Sequence, residues 1–157
     1  MTIALTITQD HLNSLDISPV QTVLEPLLRQ GTLPSQEQQL QFQFDYPQDP
    51  QDPRELSEIP EVRLWFVRLD ALYPWLPYLL DWKAGELSRY AAMLVPHQFH
   101  PKDGIQYNPE ALEIFVMHKV FVLATWFKHQ GIEGKSRLKS MTQMLGYELD
   151  DGFFDLL

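Results

Sequence analysis

Residues 108–130 read NPEALEIFVMHKVFVLATWFKHQ and run into Gly131, and no other stretch so narrows the folds open to this chain. Asn108 is a good helix N-cap. Pro109 at the first helical position costs nothing, because its missing N–H would be unpaired there anyway. Glu110 and Glu113 lie near the positive end of the helix dipole, Lys128 and His129 near the negative end. Gly131 supplies the left-handed stop. At ~1.5 Å per residue the helix is about 33–35 Å long. Its apolar residues, from Leu112 and Ile114 through Phe121 to Trp126 and Phe127, point almost all the way round, so the helix is predicted to be buried on every side. Glu113, His118 and Lys119 interrupt the run, which argues against a membrane span.

A chain of 157 residues, 45% hydrophobic and 12% aromatic, suits one folded globular domain with a sizeable core. The start of the chain has no basic segment and no long apolar run, so no signal peptide is expected and the compartment expected is the cytoplasm. There is no cysteine, hence no disulfide, no thiolate nucleophile and no cysteine-ligated cluster or zinc. The net charge of −9 is unevenly spread: residues 1–61 hold ten acids and two bases, Arg29 and Arg54. That part should repel nucleic acid and anionic membranes. Lys128, Lys135, Arg137 and Lys139 form a small basic cluster, whose bland reading is a solvated helix end.

Three regions follow: an acidic part (1–46), a proline-rich connector (47–53, PQDPQDP) and an aromatic, helical part (54–157). Residues 2–8, β-branched and alternating, read as a strand. Residues 9–15 read as a short helix capped by Thr8. Ser18 is expected to cap a second helix, with Pro19 at its first position and Gly31 just past its end, and Pro26 predicts a kink or an early break. Residues 36–46 (QEQQLQFQFDY) give the clearest strand, with Leu40, Phe42, Phe44 and Tyr46 facing one way and glutamines the other. Pro60 opens a helix that places Val62, Trp65, Phe66, Leu69, Leu72 and Tyr73 on one side; a strand over 62–69 is the alternative, disfavoured by length. Residues 84–94 read as helix or strand, with 90–95 suiting a third strand. Residues 96–107 (PHQFHPKDGIQY) read as a loop. A short amphipathic helix over 136–145 ends at Gly146, and Asp150 or Asp151 caps a last turn with Phe153 and Phe154. The fold class expected is α+β: one domain, a small and mainly antiparallel sheet, packed by helices around residues 108–130.

Reactive chemistry finds little support. His97 and His100 in the loop, with Glu113 or His118 downstream, are residue types that ligate zinc or iron, but the spacing matches no standard motif. Ordinary loop hydrogen bonding is the competing reading, and His118 reads as a satisfied histidine at the core edge. There is no GxSxG, GxGxxG or GxxxxGK[ST] pattern. Glu55, Glu58 and Glu61 are better read as a solvated face than as an acid–base pair. No catalytic residue, cofactor or metal is assigned. What remains is surface: aromatics and arginine are the residue types of protein-binding hot spots. The expected partner-binding patch is Trp75, Tyr78, Trp82, Arg89, His97 and His100, around a prolyl-aromatic turn too bulky to bury completely. Plain core is the competing reading for each aromatic.

Long runs carry a family resemblance: residues 54–82 (RELSEIPEVRLWFVRLDALYPWLPYLLDW), 94–119 (LVPHQFHPKDGIQYNPEALEIFVMHK) and 136–156 (SRLKSMTQMLGYELDDGFFDL). In these the chain resembles the chlororespiratory reduction six family, over nearly its whole length. The resemblance implies a soluble assembly factor, chaperone-like, of cyanobacteria and chloroplasts. Its implied client is the ferredoxin-like subunit I of the NAD(P)H dehydrogenase-like complex of photosynthetic membranes. Lack of a transit peptide fits a cyanobacterial member. The family offers no catalytic residues to carry over. Having no thiol, such a factor cannot hold the client's iron–sulfur clusters through its own sulfur; it would work by apolar surface and by charge. The alternative from another class is a metal-dependent enzyme or metal-binding protein using His97 and His100.

Overall fold

The computed structural model describes every residue except Asp103, and for residues 98–100, 104 and 105 the backbone alone. The chain is α+β and forms two compact units, Met1–Leu94 and Val95–Leu157.

The first unit begins with strand β1 (Ile3–Thr8), the short helix α1 (Gln9–Asn13), helix α2 (Ser18–Gln30) and strand β2 (Leu40–Asp45). Thr8 caps α1 through its side chain, and His11 reciprocates. Ser18 is the first residue of α2 rather than its cap: Ile17 holds the cap position without a side-chain hydrogen bond, and the Ser18 hydroxyl donates to Asp16 instead. The helix runs unbroken through Pro26. Pro26 and Thr22, whose carbonyl it leaves without a helical partner, are both exposed, so the interruption lies on the solvent side. β1 and β2 pair in parallel, Ile3 opposite Leu40 through Thr8 opposite Asp45. The antiparallel expectation is corrected for this pair: two strands joined through helices by a crossover run the same way. Leu40 and Phe42 point inward, as their alternation predicts.

Helix α3 (Pro60–Leu72) follows, then one 3₁₀ turn at Leu76–Leu79 and another at Trp82–Ala84, then helix α4 (Glu86–Leu94). The third strand expected over 90–95 is instead the end of α4. Phe42, Trp65, Phe66 and Tyr90 interlock with ring centroids 5.1–6.5 Å apart, mostly edge to face, the geometry that ring quadrupoles favour. The far edge of β2 is closed rather than extended. Leu40 bridges Leu80, the Asp81 N–H donates to the Leu40 carbonyl at 2.8 Å, and the next inward N–H, that of Phe42, donates to the Glu86 carboxylate at 3.0 Å. A carboxylate on that N–H removes the template for another strand.

The second unit holds an antiparallel hairpin, β3 (His97–His100) with β4 (Gly104–Tyr107), where a loop was expected. Then come the long helix α5 (Pro109–Gln130), helix α6 (Lys135–Met144) and the short helix α7 (Asp151–Asp155). Asn108 accepts from the Glu110 and Ala111 N–H groups, and Gly131 sits at φ +67° as the stop. Burial on every side of α5 is corrected: Ile114 is 71% and Phe121 51% exposed, while Val116, Val120, Leu123 and Phe127 form the buried face. Ile114, His118, Phe121, Thr125 and Lys128 line up on the wet side at steps of three and four.

Candidate functional site

The prolyl-aromatic turn of residues 73–82 is core. Tyr78 and Trp82 are 3% and 5% exposed. Each buried ring satisfies its polar tip: Tyr78 Oη donates to Glu37 at 2.6 Å, Trp82 Nε1 to the Pro77 carbonyl at 2.8 Å, and Tyr73 Oη to Glu25 at 3.0 Å. Burial and the Glu25 carboxylate push the Tyr73 hydroxyl up to about 12. A turn of this bulk can bury when every Tyr and Trp finds an acceptor. Trp75 is half-buried, stacked edge-on against Tyr73 at 5.5 Å.

Arg89 is partly exposed and pairs with the buried Glu86. Burial raises the Glu86 carboxyl above its ordinary range, against the pull of the Phe42 N–H and Arg89. His97 lies in the second unit, half-buried, its ring edge-on to Tyr107 at 6.5 Å. Its Nδ1 is buried with no hydrogen-bond partner among the described residues. The His100 side chain lies outside the described residues. Of the expected patch, then, Tyr78 and Trp82 offer no surface, and only Trp75 and Arg89 of the first unit present any. Among the described residues no three His, Asp or Glu side chains are grouped to hold a metal. Among them, too, no helix is long and apolar enough to cross a membrane.

The exposed apolar surface of the first unit lies elsewhere, on the outer side of α3. That helix buries Val62, Trp65, Phe66 and Leu69. Leu64, Val67 and Leu72 stand 51–56% exposed on the other side, with Arg68 and Ala71 between them. Leu72 is thus moved from the buried side, where its spacing put it, to the exposed one. Beside this stripe runs a groove of about 360 Å³, lined by Ile17 and Gln21 at the start of α2 and by Arg68, Ala71 and Leu72 of α3.

The groove wall is held by backbone acceptors. Trp65 Nε1 donates to the Asp16 carbonyl and Arg68 Nη1 to the Leu15 carbonyl, both at 2.7 Å. Leu15 sits at φ +53°, a left-handed conformation costly for leucine and braced here by Arg68. The Asp16 carboxyl is held below its ordinary range by the Ser18 N–H and hydroxyl, with Arg68 and His11 assisting. The sequence carried one sign of this face: α3 has more apolar residues than one buried stripe can use, and Leu64 and Val67 are the remainder.

The model of the family described as Chlororespiratory reduction 6 matches residues 7–156 of the chain. No solved structure matches it.

Proposed function

Because the chain belongs to the chlororespiratory reduction 6 family, we propose that it is a non-enzymatic assembly factor that binds the ferredoxin-like, iron–sulfur subunit I of a photosynthetic NAD(P)H dehydrogenase-like complex and helps it mature. Membership supports a role in assembly of that complex; the choice of subunit I is the proposal. The observation that carries it is a family match running through both compact units rather than through one motif. The exposed apolar stripe on α3 supports action by surface, because an apolar face of this kind on a folded unit commonly marks a protein-binding site.

The test is capture of partners from native photosynthetic extract on the full-length chain. Subunit I is expected among the proteins retained. Retention of other subunits of the complex without it would remove subunit I and leave the assembly role. Retention of none would sink the reading.

A further inference from the structure

We propose that the outer face of α3, with the groove beside it, is the docking surface for the partner, and that it takes a cationic amphipathic segment. The inference rests on the assembly-factor reading above and names the surface and the chemistry through which it works. Leu64, Val67 and Leu72 recur at helical spacing along one exposed side of α3, the pattern that receives the apolar side of a partner helix. Charge selects among the possible occupants. Asp16 adjoins Ile17 of the groove, Glu25 lies one turn beyond Gln21, and Glu61 stands exposed one turn before Leu64. Arg63 is half-buried and donates to the carbonyls of Ser57 and Leu94 at 3.5 Å. Arg68 is exposed and lines the groove, donating to the Leu15 carbonyl, and its charge is opposed there by Asp16, which leaves Glu25 and Glu61 as the acids of the rim.

The whole first unit carries thirteen acids and six bases. A second copy of this chain would bring the same negative charge to its own face, and an anionic bilayer would be repelled. A segment with Leu or Met at helical spacing, flanked by Lys or Arg, meets both the apolar stripe and the acidic rim. Opposite charge also speeds its encounter.

Two synthetic amphipathic peptides of the same apolar pattern test this, one with lysine flanks and one with glutamate flanks, titrated against the full chain by fluorescence anisotropy. The lysine peptide is expected to bind more tightly by about tenfold or more, and its affinity to fall as salt rises. Leu64→Asp with Val67→Asp is expected to weaken it by about tenfold or more. Glu61→Lys should weaken it several-fold while leaving the apolar face intact. Far-UV circular dichroism and the melting temperature of both variants should match the parent, since these side chains are exposed.

Equal binding of the two peptides, or binding of neither, overturns the proposal. So does unfolding of the double variant, which would make the face structural. A dimer in sedimentation that the double variant disperses, or binding to phosphatidylglycerol vesicles lost in that variant, assigns the face to another occupant. In the extract experiment, a double variant that still retains the subunit captured by the parent removes this surface alone. A parent chain that captures no subunit of the complex removes the assembly reading itself.

Discussion

Glu86 has no exposed surface, yet it accepts the Phe42 N–H and the Arg89 guanidinium. Its folded pKa lies above the ordinary 4.5. A raised carboxyl contributes stability that is fully present below the unfolded value and is lost as pH rises through the folded one. Glu86→Gln keeps an acceptor for Phe42 and removes the titration. The stability of this variant relative to the parent, from urea midpoints, should therefore increase as pH rises from below 4.5. Glu86→Leu also removes the titration but leaves the Phe42 N–H unpaired, so it should be less stable than Glu86→Gln by about 1–3 kcal/mol at any pH. Equal behaviour of the two variants would contradict this role. Trp82→Ala truncates a core ring and should cost about 3–5 kcal/mol. Phe121→Ala removes a half-exposed one, so its cost should fall well below that range. Neither contrast was legible in the sequence, because Trp82 and Phe121 both sit in aromatic-rich runs. Whether a ring is covered depends on chain distant in sequence.

At the scale of elements, the basic cluster of α6 acquires a use. Lys135 pairs with Asp155 at 2.6 Å and Lys139 with Asp151 at 2.9 Å, and Lys128 reaches the Leu157 carbonyl. These contacts hold α7, whose one buried side chain is Phe154. All are exposed, so each is weak and screened by salt. Lys135→Ala with Lys139→Ala should speed amide exchange in α7 and spare α5, as should high salt on the parent. Protection unchanged in both cases would mean that Phe154 alone anchors α7. Lys139 holds the Asp151 carboxyl below 3.8, so that pair's contribution is present above 3.8 and is lost as pH falls through the lowered value. Gly134 opens α6 against Phe127: a Cβ there would lie 1.8 Å from the ring. Gly134→Ala should cost about 1–3 kcal/mol by overpacking, read as a lower melting temperature. The ends of α5 were legible because capping is local: Asn108, Pro109 and Gly131 act within one turn. The parallel pairing of β1 with β2 was legible in principle from the helices between them, whereas an isolated alternating strand says nothing of its direction.

For the whole molecule, elemental analysis of untagged protein is expected to find no stoichiometric zinc or iron. Stoichiometric metal, lost on His97→Ala with His100→Ala, would favour the metal-binding alternative. The sequence by itself determined the α+β class, the main helices and their stops, the alternation of β2, the acidic balance of the N-terminal part, the lack of thiol chemistry and the family resemblance that the match over residues 7–156 bears out. Each of these follows from composition or from interactions within a few residues. Tertiary structure decided that the prolyl-aromatic turn is core, that α5 keeps a wet side and that α3 shows apolar side chains to solvent. Burial is a property of neighbours brought together from far along the chain: Tyr78 is covered because Glu37 meets its hydroxyl, and Leu64 is open because nothing in the first unit packs over it.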